Sequence, residues 1–353
     1  MLFGRPDRGF RWESLGFWGE TVRAWRQQGL PEDWSPEAYF EFDPFADLPV
    51  ASGFTVTPYS PPFEHQVLAE DDFSITYRSN QGILLRERKE KPELSMPQFL
   101  DFPVKAPEDF EALLWRLDPS DPDRLPQDFH QRLPEWRQRD YPLFLRICGA
   151  FGHPRNLLGL ERLLVTYYDD PQFVHRILDH WAGFYEALFD RVLSQVTVDL
   201  LMIWEDMCYK AGPLIGPALF REFMLPYYHR VIDCARQFGV PIIMVDTDGN
   251  FWDLLPLFLE AGVNMMMPFE IAASMEPLEV RKQVGKRLAI LGGIDKRALR
   301  ADKRAVEAEV ERKVPPLVAQ GGFIPCLDHT APPDIPFENF AHLVRCLRRY
   351  TEP

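Results

Sequence analysis

From about residue 140 to the end, the chain repeats one unit: a short apolar run that finishes in a functional group, then a longer stretch with helical periodicity. The runs are "PLFLRICGAF", "DLLMIWEDM", "VPIIMVDTDG", "VNMMMPFEI", "RLAILGGID" and "GGFIPCLDH". Parallel neighbours need a connection long enough to carry the chain back to the same edge, so this alternation predicts parallel strands with helical crossovers. One crossover is "PQFVHRILDHWAGFYEALFDRVLSQV", where Phe173, Ile177, Phe184, Leu188 and Val192 recur at near-helical spacing.

The first 130 residues are rich in Pro, Trp and Phe and weakly periodic. "DDFSITYRSNQGILLRERKE" predicts a hairpin turning at Ser79-Asn80-Gln81-Gly82, with Phe73, Ile75 and Tyr77 alternating on one strand. A helix from about Pro107, a Pro/Asp-rich connection and a second short helix follow. Two more strands from this part, which periodicity does not locate, would bring the total to eight. With no repeat of fixed period, the expectation is an α/β fold, a (β/α)8 TIM barrel with a decorated N-terminal region. An open doubly wound sheet is the second choice. The expected organisation is a single domain over residues 1–353. Residues 1–135 supply N-terminal strands, the hairpin insertion and helices, and 136–353 supply the regular β/α units.

Composition narrows the partners. A formal net charge of -14 opposes loose binding to nucleic acid or anionic lipid. No apolar run approaches the roughly 20 residues of a membrane span, so neither nucleic acid nor membrane is expected. Cys148, Cys208, Cys234, Cys326 and Cys346 are odd in number and never spaced CxxC, which suits a reducing cytoplasm.

The strand ends carry the chemistry. Glu205 and Asp206 end one run, Asp246 and Asp248 the next, then Glu270, Asp295, and Asp328 with His329. In a parallel barrel all carboxyl ends open on one face, where such enzymes keep their active sites. Alternation puts Met244, Asp246 and Asp248 on one side of their strand, facing the mouth, and Ile243, Val245 and Thr247 on the other. Two such acids either hold a hard cation, or one keeps the other protonated as a general acid. Asp-Gly at 248–249 is also a turn pair, and Asn250 sits where it could cap the next helix. Only one of Glu205 and Asp206 can face inward on a regular strand; Glu205 is expected there. His329, beside an acid at a strand end, is a candidate functional group. Cys326 reads as a core cysteine that could supply a thiolate. His342 lies on a predicted helix and reads as a surface or packing residue. No Walker or dinucleotide loop is present.

Several stretches, in order, resemble the uroporphyrinogen decarboxylase superfamily: "FWGETVRAWRQQGLP", "GLERLLVTYYDDPQFVHRILD", "IWEDMCYKAGPLIGPALFREFMLPYYHRVID", "IIMVDTDGNFWDLLPLFLEAGVNMMMPFEIAA" and "GGFIPCLDHTAPPDIPFENF". Within it the chain resembles the decarboxylase-like branch related to corrinoid-dependent methyltransferases. The resemblance implies a (β/α)8 barrel with its site at the strand carboxyl ends. Methyltransferases of the superfamily carry a His-x-Cys pair and a later Cys that bind zinc. Asp246 and Asp248 stand in the place of the pair, and Cys326 near the later ligand, a departure that speaks against a thiolate-rich zinc site but not against an oxygen-rich one. The decarboxylases carry an N-terminal arginine-bearing run for substrate carboxylates; that motif is absent here, where "RPDRGFRWESLGFW" offers Arg5, Arg8 and Arg11 as candidate substitutes.

The leading expectation is corrinoid-linked methyl transfer. Catalysis is assigned to Asp246, His329 and Glu205, and substrate contact to Asn250, Asp328, Glu270 and Arg11. A divalent metal such as zinc is assigned to Asp246, Asp248, His329 and Cys326. The expected partners are a small methylated substrate or methyl acceptor, a corrinoid protein, and a second copy of the chain in a homodimer. Two alternatives stand beside it: decarboxylation of tetrapyrrole acetate side chains, needing no cofactor, and non-catalytic binding of a corrinoid or metabolite.

Overall fold

The computed structural model describes residues 1–4, 7–54, 56–90 and 96–352. Seven strands form one parallel sheet in the order β1 (Ala46–Asp47), β6 (Leu143–Cys148), β7 (Leu200–Trp204), β10 (Ile242–Asp246), β11 (Met265–Met267), β12 (Ala289–Leu291) and β13 (Phe323–Ile324). All six strands expected after residue 140 are present, each beside the next in the chain. The crossover read as helical runs Pro171–Leu193 and buries Phe173, Ile177, Phe184, Leu188 and Val192. Among the described residues no helix is long and apolar enough to cross a membrane.

Strand alternation sorts the sheet's two faces. Leu201, Ile203, Ile243, Val245, Met266 and Ile290 join the large core against the helices. Phe144, Leu200, Met202, Met244, Met265 and Met267 join a separate cluster on the other face, closed by Trp12, Leu291, Ile324 and Cys326. Fully burying one such side chain contributes about 1.5–3 kcal/mol, so each face fixes strand register strongly. The stretch 9–17 touches both edges of the sheet. The Arg11 carbonyl accepts from the Asp43 amide before β1, and the Glu13 carboxylate from the Leu327 amide beyond β13. Phe17 makes a parallel bridge to Ala331. The sheet therefore curls around the second cluster.

The expected hairpin is β3 (Ser74–Arg78) and β4 (Leu84–Arg88), part of an antiparallel sheet with β2 (Gln66–Glu70) and β5 (Gln98–Asp101). A further short hairpin, β8 (Cys208–Tyr209) and β9 (Gly212–Pro213), follows β7. The helix expected from Pro107 is short, Pro107–Glu111, and the second is Phe129–Gln138.

Candidate active site

Asp246 closes β10 on the enclosed face, two residues after Met244, as alternation requires. Thr247, facing the helices, accepts the Met207 amide at 3.1 Å. Asp246 is only 7% exposed, and no donor among the described residues bonds its carboxyl group. Burial, then the charges of Asp248 and Asp206, push its pKa up to about 8, while Arg146 and His329 pull the other way. At neutral pH this side chain is mainly a carboxylic acid.

Asp248 and His329 meet at the mouth, with Nε2 and Oδ2 3.3 Å apart, both partly exposed. The Asp248 hydrogen bond is the main reason His329 holds its proton to a higher pH than usual. Gly249 then turns the chain with φ +75°, and an added Cβ would lie 2.7 Å from the Tyr209 backbone. Only glycine suits that position.

Glu205 is a correction. It shares parity with Leu201 and Ile203, so it faces the helices rather than the mouth. There it is fully buried, accepting the amides of Ala150, Phe151 and Gly152 at 2.8–2.9 Å and the Tyr228 hydroxyl. Gly149 leaves room for it, since a Cβ there would lie 2.2 Å from the carboxyl carbon. Burial raises the Glu205 pKa to about 7, and the Tyr228 hydroxyl and three amides hold it from rising further. Asp206 takes a left-handed conformation (φ 46°) and pairs with Arg155 at 3.1 Å on the rim.

The expected substrate contacts are engaged in holding loops. Asp328 is buried and accepts the amides of Ile271 and Lys296. Glu270 accepts the Gly249 amide at 2.9 Å and lies 3.7 Å from the Lys296 ammonium. Asn250 accepts the Trp252 amide, but the helix it was expected to cap begins later, at Leu255. Arg11 pairs with Glu352 at 3.1 Å and Asp43 at 3.7 Å, beside the C-terminal helix. Arg8 is bound to Asp43 as well, and Arg5 lies outside the described residues.

The mouth does not converge as a metal site. Among the described residues, no three of Asp246, Asp248, His329 and Cys326 bring ligand atoms within 4.8 Å of one another. Cys326 is buried in the enclosed cluster, 3.5 Å from the Ser14 hydroxyl, and burial pushes its thiol well above its usual pKa. A zinc ion needs donors within about 2.0–2.3 Å of one point, and these four do not provide that point.

Arg146 is the mouth group that strand-end reasoning passed over. It stands in mid-strand on β6 at the parity of Phe144, and its Nε donates to Asp47 at 2.7 Å. Its signal was available: an arginine inside an apolar run, on the enclosed side. A large cavity of about 1170 Å³ lies at the opposite end, beside Tyr141, Asp199, Ile242 and Gly321, where the strands begin. Parallel α/β sheets, open or closed, place their sites at the carboxyl ends of the strands, so the acids rather than this cavity mark the candidate site.

The comparisons agree with this architecture. The family model described as uroporphyrinogen decarboxylase (URO-D) matches residues 92–350. A uroporphyrinogen decarboxylase of Syntrophotalea carbinolica is 27% identical over 199 residues, covering 56% of this chain and 54% of the relative. One of Legionella pneumophila (strain Lens) is 23% identical over 223 residues, 60% of each chain. The chain thus spans between about half and three fifths of the length of these relatives. A solved methyltransferase from Methanosarcina mazei shares the fold, with a TM-score of 0.56 and 13% identity over 98% of this chain and 95% of that one. With its parallel sheet, its acids at the strand ends and a family match over most of its length, the chain belongs to the uroporphyrinogen decarboxylase family.

Proposed function

We propose that this chain transfers a methyl group between a small substrate and a corrinoid carried by a separate protein, with Asp246 as the acid that serves the leaving heteroatom. One observation carries the reading: an inward, buried carboxyl group that no donor among the described residues bonds, its pKa pushed up to about 8. When a methyl group leaves oxygen or nitrogen, both bonding electrons stay on that heteroatom, which then needs a proton. A positioned acid contributes about 10²–10⁴-fold to such a step. The corrinoid, when its carrier docks, supplies the methyl acceptor. His329 and Asp248 bias the charge of Asp246 and stand ready to return its proton. In this reading stretch 9–17 completes a closed (β/α)8 barrel within one domain, and the five unpaired cysteines suit a cytoplasmic setting.

Decarboxylation is the second reading. The curated relatives bear that name, and a neutral acid also suits protonation of carbon. Against it, Arg8 is paired with Asp43 and Arg11 with Glu352, so a poly-anionic tetrapyrrole would have to displace those acids to reach either arginine. The experiment incubates the purified chain with corrinoid carrier protein and a panel of methylated amines and ethers, and in parallel with uroporphyrinogen. Demethylated product from the first supports methyl transfer. Coproporphyrinogen from the second, with no methyl exchange, replaces it with decarboxylation. No turnover in either arm, with ligand affinity unchanged in Asp246→Asn and His329→Ala, supports a binding protein.

A further inference from the structure

We propose that Glu307, His342 and Cys346 form a site for a divalent transition metal of the zinc and cobalt class, clipping together the last two long helices. His342 and Cys346 are four residues apart on helix Phe337–Thr351, so their side chains share a face, and Glu307 reaches them from helix Lys303–Gln320. His342 Nε2 lies 2.9 Å from Glu307 Oε1 and 3.6 Å from Cys346 Sγ, and all three donors fall within 4.8 Å of one another. Tetrahedral zinc, with bonds of about 2.1 Å to nitrogen and oxygen and 2.3 Å to sulfur, holds N and S about 3.6 Å apart and N and O about 3.4 Å apart. The nitrogen and sulfur already have that separation, and the carboxylate oxygen stands about half an ångström too near the nitrogen.

The donor chemistry agrees. One carboxylate, one thiolate and one neutral imidazole balance a divalent charge, and imidazole with thiolate suits borderline-soft ions. The half-exposed Glu307 leaves the open side toward solvent, where water completes the sphere. Arg349 is the competitor: its Nη2 donates to Cys346 Sγ at 3.2 Å and lies 4.0 Å from Glu307. Its side chain is 54% exposed, and such ion pairs contribute only about 0–1 kcal/mol, so the guanidinium can withdraw into water as the metal enters. The same helix holds the N-terminal part of the chain: Arg348 donates to the Phe40 carbonyl, and the Thr351 carbonyl accepts the Gly9 amide. Metal binding there would tighten this attachment without involving the mouth.

The test titrates the intact, tag-free protein with Co²⁺ and follows thiolate-to-cobalt charge-transfer absorption. Saturable one-to-one binding with that absorption is expected in wild type and in Asp246→Asn, and loss of the absorption in Cys346→Ser and His342→Ala. Zn²⁺ should raise the wild-type melting temperature, reversibly with a chelator, which keeps the test decisive if a variant folds poorly. No charge-transfer band under excess cobalt, or a band that survives Cys346→Ser, overturns the site.

Discussion

On the helix-facing side of the sheet Glu205 is sealed from water with four donors around it; on the enclosed side Asp246 is nearly as buried and, among the described residues, has none. The two residues are joined directly, the Glu205 amide donating to the Asp246 carbonyl at 2.9 Å. Burial raises both pKa values, to about 7 for Glu205 and about 8 for Asp246. What differs is the purpose each environment serves. Glu205 gathers the orphan amides that begin helix Gly152–Leu158 and so ties that helix to β7. Asp246 stabilises nothing by its charge, and a proton on it remains free to be given away.

The sharpest way to break the comparison is to remove each acid in turn. Asp246→Asn should lower turnover by about 10²–10⁴-fold, as loss of a general acid does, while leaving the protein folded. Glu205→Ala should act through stability, since it strands three buried amides and the Tyr228 hydroxyl. An unmet buried donor costs about 1–3 kcal/mol, so a loss of at least about 3 kcal/mol in denaturant unfolding is expected. A stable Glu205→Ala with selective loss of turnover would reverse the assignment of the two acids.

Stability against pH sharpens it further. The folded pKa of Asp246 lies above its ordinary value of 3.8. Below about pH 4 the carboxyl group is protonated in both states and costs nothing. Between about pH 4 and 8 the unfolded chain ionises while the folded one keeps its proton, so native stability falls until the folded group also ionises. Asn carries no such penalty, so Asp246→Asn should be the more stable protein, by about 5 kcal/mol at pH 8 and by little at pH 4. Melting curves across this range check the sign. The smallest effect belongs to His329→Ala. Its partly exposed pair with Asp248 should contribute less than about 1 kcal/mol. Because the pair raises the His329 pKa, that contribution is present at low pH and disappears as pH rises through the folded value.

The sequence disclosed these regions unequally for physical reasons. Strands covered on both faces read as unbroken apolar runs, so all six after residue 140 were visible. β1 is two residues long in a Pro- and Phe-rich stretch, and stretch 9–17 meets the sheet edges through scattered contacts such as the Glu13 carboxylate. Neither leaves a periodic trace. In "IIMVDTD" the acids themselves mark the enclosed side, whereas "LLMIW" is apolar on both sides and gives no parity for Glu205. Whether mouth donors converge depends on turns such as those at Asp206 (φ 46°) and Phe269 (φ 62°), which pattern does not encode. His342 was visible as a helix residue, but Cys346 and Glu307 join it only in the folded arrangement of the last two long helices.

The central claim is that Asp246 carries a proton at neutral pH. The most direct measurement is carboxyl ¹³C NMR titration of protein labelled at aspartate, with Asp246 assigned by difference against Asp246→Asn. The account predicts a titration midpoint near about 8. A midpoint near the ordinary aspartate value of about 4 would contradict it and remove Asp246 as the acid.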